Sequence, residues 1–187
     1  TYSNWELIIW DNCSTDSTAL ISKSYNDKRI KYFLSEKLTK LGEARNLAIQ
    51  NTSGDFIGFL DCDDLYLQNK IELQVKEFNN EKVGIVISDS LFFNHKGDSK
   101  QLYKNNKPPT GMVFTELLSS YFISLETVII RTKALKGLDH WFNTQFEVIE
   151  EYDLLVRLGY SWEIAYVDQV LAKWRVHNSS WTWTKSE

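Results

Sequence analysis

Gly54-Asp55-Phe56-Ile57-Gly58-Phe59-Leu60-Asp61-Cys62-Asp63-Asp64 is the stretch on which the fold turns. Its apolar run, Phe56 to Leu60, has the length of a strand and ends in three acids over four positions. Charge at the tip of a buried strand is costly unless something compensates it. A strand's period of two directs Asp61 and Asp63 to one side. Two carboxylates so placed suit a hard divalent cation, with coordination sites left for a phosphate-bearing ligand. The competing reading is an acid-rich turn that caps the next helix, whose dipole favours negative charge. The triplet alone does not separate the two. An EF-hand loop is excluded. Asp61, Asp63 and Glu72 fit three of its positions, but Leu65 stands where a ligand belongs and Tyr66 where Gly is required.

Outward from this stretch, strands and helices alternate. Glu6 to Trp10 reads as a buried strand that ends in the polar turn Asp11-Asn12-Cys13-Ser14-Thr15-Asp16, rich in helix N-caps. A helix is predicted over Ser17 to Tyr25, a strand over Ile30 to Leu34 and a helix from Gly42 to Asn51. After Asp64, the residues Leu67, Ile71, Val75 and Phe78 form the apolar stripe of an amphipathic helix. Val83 to Ser88 is the next strand. This alternation predicts an α/β fold with a mainly parallel sheet covered on both faces, and ligands bind beyond the C-terminal ends of such strands. Both polar clusters, Asp11 to Asp16 and Asp61 to Asp64, lie at such ends.

The second half is less regular. Asn94 to Thr110 holds both prolines and reads as a loop. Val113 to Ser119 is a short helix, Glu126 to Arg131 a strand, and Tyr152 to Leu158 a helix stopped by Gly159. Glu163 to Val167 and Val170 to Val176 are strand candidates.

The 187 residues fit one domain. Net charge is −4, which argues against nucleic acid as a partner. No apolar run reaches the roughly 20 residues of a membrane span. Cys13 and Cys62 lack zinc-site spacing and read as reduced thiols of a cytoplasmic protein. Trp162, Trp174, Trp181 and Trp183 crowd the C-terminus, as core or as a platform for sugar rings. There is no GxxxxGK[ST], no GxGxxG and no GxSxG, so P-loop, Rossmann and serine-hydrolase readings lack support.

Five motifs, in order, carry a resemblance. Trp5 to Asp16 resembles the strand and acidic turn of family-2 glycosyltransferases, with Asn12 and Cys13 where that family usually has Asp and Gly. Gly42-Glu43-Ala44-Arg45-Asn46 resembles their Gly-x-x-x-Arg-Asn helix, and Gly54 to Asp64 their DxD strand. Glu150-Glu151-Tyr152-Asp153-Leu154-Leu155-Val156-Arg157-Leu158 is similar to their Glu-Asp-Tyr-Asp helix. Trp174-Arg175-Val176-His177-Asn178-Ser179-Ser180 is similar to their closing Tyr-Arg-x-His motif.

The resemblance implies a GT-A fold and inverting transfer of a sugar from a nucleotide donor to a saccharide or lipid-linked acceptor. Residues 1–93 form the donor half and 94–187 the acceptor half. Asp11 would meet the base or ribose, Arg45 the base or phosphates, and Asp61 the ribose or metal. Asp63 would coordinate Mg²⁺ or Mn²⁺. Arg175 and His177 would line the diphosphate or acceptor pocket. Glu151 would be the base, with Asp153 as a substitute or a structural residue. Crowding of Glu147, Glu150, Glu151 and Asp153 would raise the pKa of some of them, as a base near neutrality requires, although acids also collect in first helical turns for the dipole. Cys13 should alter its turn, because a side chain there opposes φ > 0. The resemblance also implies an opening strand, turn and helix that this sequence lacks, so the chain reads as a fragment or as one whose gap another chain covers. A location at the inner face of the membrane and a homodimer are both compatible with this reading. The alternative is a non-catalytic nucleotide-sugar-binding or interaction domain.

Overall fold

The structure, a computed structural model, describes residues 1–177. Trp181, Trp183 and the Asn178-Ser179-Ser180 end of the last motif lie outside the described residues. In chain order the elements are β1 (Leu7–Asp11), α1 (Thr18–Ser24), β2 (Ile30–Leu34), α2 (Leu41–Ile49), β3 (Phe56–Gly58), β4 (Leu65–Tyr66) and α3 (Lys70–Glu77). There follow β5 (Val83–Asn94), β6 (Gly97–Gln101), α4 (Phe114–Ser119), a 3-10 turn (Leu125–Thr127), β7 (Ile129–Arg131), α5 (Thr132–Lys136), α6 (Glu150–Gly159) and β8 (Glu163–Arg175).

The β-branched run of β5 is the spine. Alternation along it sends Ile85 and Ile87 to one face, against Leu117, Phe142, Leu154, Leu155 and Leu158. Val86 goes to the other, with Val83, Phe78 and Ile129. All three residues are fully buried, each contributing about 2 kcal/mol by removal from water. A strand covered on both faces reads as a continuous apolar run, which is why it is legible.

The α/β class is as expected, but the sheets are mixed rather than mainly parallel. β1 and β2 pair in parallel, from Leu7 opposite Ile30 to Asp11 opposite Leu34. The second sheet has the order β3-β7-β5-β8-β4, with β6 on β5. Only β5 with β8 is parallel there; β3–β7, β4–β8, β5–β6 and β5–β7 are antiparallel. The β5–β6 hairpin turns through His95 and Lys96 into Gly97 at φ +115°, and so short a connection forces antiparallel pairing. It occupies part of the segment expected to be loop. Among the described residues, β1 pairs only with β2 and β3 only with β7. Glu6 helps join the two sheets: its carboxylate takes the Ser53 N–H at 2.5 Å and Lys31 Nζ at 2.6 Å.

Three further expectations are corrected. Residues 125–127 are a 3-10 turn, so the strand predicted from Glu126 begins at Ile129. The two strands predicted over 163–176 are one, β8, whose pairing with β5 shifts register opposite Ser88 and Asp89. Helix α3 is turned by about 55°, roughly half a residue's step, from the face its apolar stripe suggests. Lys70, Gln74 and Phe78 face inward, and Ile71 and Val75 are only half-buried. The cause lies in β5 and the 3-10 turn beside it: the Val86 and Thr127 carbonyls are met by Gln74 Nε2 at 3.0 and 2.8 Å, and Thr127 O also by Lys70 Nζ at 2.9 Å. Buried carbonyls need donors, and this demand overrides the apolar stripe. Among the described residues, no helix is long and apolar enough to cross a membrane.

Candidate active site

Strand β3 stops at Gly58, so Asp61 to Asp64 form a turn, closed by the Asp64 N–H donating to Asp61 O at 3.0 Å. The period-two argument that put Asp61 and Asp63 on one side therefore fails, and the two carboxylates take different partners. Asp61 Oδ1 accepts from Arg45 at 2.9 Å. Asp63 Oδ2 lies 2.9 Å from His177 Nε2, and its backbone carbonyl accepts from Arg175 Nε at 2.8 Å. Asp64 is the buried member: its Oδ1 takes the Arg175 N–H at 2.8 Å. Burial pushes its carboxyl up to about 7, against the Arg175 amide, with Glu126, Asp63 and Asp61 adding to the rise. The guanidinium of Arg175 lies 4.3 Å from the Phe93 ring centroid. Thus the end of β8 delivers Arg175 and His177 onto the acid turn, across 112 and 114 residues of sequence.

Helix α6 delivers the other acids. Ile149, just before it, adopts φ +54°, an outlier for a β-branched residue. Glu150 then turns inward and is 2% exposed, with Oε1 at 2.5 Å from Arg45 Nη1. Glu151 is partly exposed, 3.8 Å from the same nitrogen, and accepts a long hydrogen bond from Tyr121 at 3.4 Å. Burial raises its pKa and Glu150 and Asp61 add to this, while its own backbone amide and Arg45 oppose. Asp153 sits elsewhere. Its Oδ2 accepts from Arg157 Nε and Nη2 at 2.9 and 2.7 Å, and Arg157 also donates to the His140 and Trp141 carbonyls. That is an anchoring role.

At the first acidic turn, Asp11 is 3% exposed with both oxygens engaged: Ser14 N–H at 2.7 Å and Tyr32 Oη–H at 2.6 Å. These bonds hold its carboxyl below the usual range, Tyr32 contributing most, and the phenol of Tyr32 is pushed up to about 12. Asn12 donates to Thr39 O at 2.8 Å and accepts from Thr39 N and Oγ1 at 3.1 and 3.0 Å.

Arg45, Asp61, Glu150 and Glu151 thus form one cluster, and Asp63, Asp64, Arg175 and His177 another on the same turn. Asp11 shares no hydrogen bond with either. Sequence reasoning did not single out Asp64, Glu150 or Tyr121. Asp64 and Glu150 were within the motifs, but nothing in a sequence says which of adjacent acids turns inward. Tyr121 had no signal. Among the described residues no three His, Cys, Asp or Glu side chains are placed to hold a metal ion together. The turn offers hard carboxylate oxygens from Asp61 and Asp63, and this donor set suits Mg²⁺ or Mn²⁺ completed by phosphate oxygens and water.

The same fold occurs in glycosyltransferases of GT-A architecture. S. aureus TarS in complex with UDP-GlcNAc matches 94% of this chain and 50% of its own, with TM-score 0.72 and 22% identity. The mannosyltransferase PcManGT of Pyrobaculum calidifontis, in complex with GDP-Man and Mn²⁺, matches 95% of this chain and 50% of its own, with TM-score 0.69 and 16% identity. The chain belongs to glycosyl transferase family 2, whose model matches residues 1–139. It is 28% identical to the E. coli UDP-Glc:alpha-D-GlcNAc-diphosphoundecaprenol beta-1,3-glucosyltransferase WfgD over 182 residues, 96% of this chain and 69% of that protein. It is 32% identical over 183 residues to a Rickettsia conorii glycosyltransferase of which it spans 29%. The chain therefore spans about half of these solved structures and from 29% to 69% of these relatives.

Proposed function

We propose that this chain carries the reacting groups of an inverting, metal-dependent glycosyltransferase acting in cell-surface polysaccharide or glycolipid synthesis at the cytoplasmic side of the membrane. The bond from the anomeric carbon to the donor phosphate breaks, and a bond to an acceptor hydroxyl oxygen forms on the opposite face. The hydroxyl proton passes to Glu151 and the nucleoside diphosphate leaves. Asp63, with Asp61 beside it, would hold Mg²⁺ or Mn²⁺, which offsets charge on the leaving group. Arg175 and His177, seated on the acid turn, orient the diphosphate, and Asp11 shapes the pocket of the base and ribose. Residues 1–93 mainly serve the donor, joined there by Arg175 and His177, and the rest of 94–187 serves the acceptor.

The observation that supports this reading is that Asp61 and Glu151 lie against the same Arg45 guanidinium, at 2.9 and 3.8 Å. An acid able to take a proton thus stands beside a turn suited to a cation and diphosphate, as an in-line displacement needs. Burial holds the Glu151 pKa above the ordinary value, as a base requires.

UDP-sugars are the first donors to test, because the E. coli relative is named for UDP-Glc and TarS binds UDP-GlcNAc. The full-length protein with Mn²⁺ should be thermally stabilised by its donor and release nucleoside diphosphate. Asp63→Ala should lower that release by about 100-fold or more, as expected for lost electrostatic stabilisation. Donor binding without turnover would identify a binding module instead. No turnover from any UDP-, GDP- or dTDP-sugar, with wild-type behaviour of Asp63→Ala, would overturn the enzyme reading.

A further inference from the structure

Helix α2 presents Gly42, Arg45 and Asn46 at i, i+3 and i+4, which is one helical face. All three meet the segment that leads into α6. Asn46 clasps Phe142 twice, its Nδ2 donating to Phe142 O at 2.8 Å and its Oδ1 accepting from Phe142 N at 2.9 Å. A methyl group on Gly42 would stand 3.4 Å from Glu150 Cγ, so the helix backbone lies close against that side chain. Arg45 completes the dock. Its side chain is 10% exposed, and it holds Glu150 at 2.5 Å, Asp61 at 2.9 Å and Glu151 at 3.8 Å. Its guanidinium is thus surrounded by carboxylates. The left-handed backbone at Ile149 is strained for a β-branched residue. Such a conformation persists only where its surroundings over-determine it, and the buried Glu150–Arg45 pair supplies that constraint.

We propose that Arg45 is a positioning residue: by clamping Glu150 and Asp61 it fixes Glu151 relative to the acid turn, and it does not itself bind the donor. This rests on the reading of Glu151 as the base and of the acid turn as the donor site. It assigns the Gly-x-x-Arg-Asn face of α2 to holding the base helix rather than the nucleotide. The arginine's fork can bridge two carboxylates, which a lysine's single ammonium does not reproduce.

The test is steady-state kinetics of full-length Arg45→Lys, Arg45→Met and Glu150→Gln with varied donor. Both Arg45 variants should lose at least 30-fold in kcat with donor KM within threefold of wild type. Glu150→Gln, which loses the charge that Arg45 clamps, should fall in the same direction. A donor KM raised tenfold or more in Arg45→Met, with kcat of Glu150→Gln unchanged, would overturn the proposal and make Arg45 a donor ligand. Equilibrium unfolding tests the clamp without turnover. Arg45→Met leaves Glu150 buried and unpaired, so Arg45→Met/Glu150→Gln should be more stable than Arg45→Met alone. If the double variant is no more stable, the clamp is refuted. If it is, but wild type transfers no sugar, the clamp stands and the assignment of function fails.

Discussion

Cys13 occupies the left-handed region at φ +69°, where the related motif carries glycine. The side chain was expected to change the turn. Instead the backbone keeps the glycine-like conformation, and Cys13 Sγ approaches Ser35 O at 3.4 Å. The turn is imposed from outside, by the Asp11–Ser14 bond and by Asn12 bridging to Thr39. Cys13→Gly should therefore raise stability by about 0.5–1 kcal/mol in chemical denaturation, the left-handed penalty outweighing the entropy glycine adds to the unfolded chain. Asn12 is equally well accounted for. It uses a donor and an acceptor at once, and an aspartate would set an oxygen against the Thr39 carbonyl. At Glu151, burial raises the pKa. A base works deprotonated, so kcat/KM should fall as pH drops through a value above the ordinary carboxylate range, seen as the acid limb of a pH–rate profile. Stability has the opposite sign. The contribution of a group whose folded pKa is raised is complete below its unfolded pKa and is lost as pH rises through the folded one. Glu151→Gln should thus abolish turnover while leaving the protein at least as stable at neutral pH.

Among the elements, β5 shows how packing can depend on a missing side chain. A Cβ on Gly84 would lie 2.5 Å from the Cβ of Trp162 and 2.6 Å from its Cγ. The indole covers the strand at this point, and only a hydrogen leaves room for it. Gly84→Ala should destabilise by about 1–3 kcal/mol, the range for overpacking, measured as a lowered denaturation midpoint at unchanged slope. Helix α3 makes the complementary point. Its apolar stripe announced a helix correctly, but Lys70 and Gln74 are the residues driven inside, because Thr127 and Val86 present carbonyls there. A sequence shows which residues prefer burial, and it does not show which unpaired carbonyls wait in the core.

At the scale of the molecule, stability is uneven. β5 is buried along Val83 to Ser90 and pairs with β8 over most of both strands. β1 has no fully covered face and pairs only with β2 among the described residues. Native-state hydrogen exchange should find the amides of β5 and β8 the most protected, and those of β1 and β2 exchanging through a cheaper, local opening. Uniform protection across both sheets would contradict this. Ile30–Leu34 was read from sequence with its observed bounds, and Glu150–Gly159 to within two residues at its start, because alternation, helical period and a terminal glycine are local properties. The five motifs likewise lay in the linear text, and with them the family. Only the tertiary structure decided that Asp61 to Asp64 is a turn and not a strand tip, and that Asp64 is buried. It alone showed Arg157 anchored on the His140 and Trp141 carbonyls and Arg45 held by acids up to 106 residues away. Those outcomes depend on pairings between distant segments, whose geometry is set by how β5, β8, α2 and α6 pack, and no local pattern encodes it.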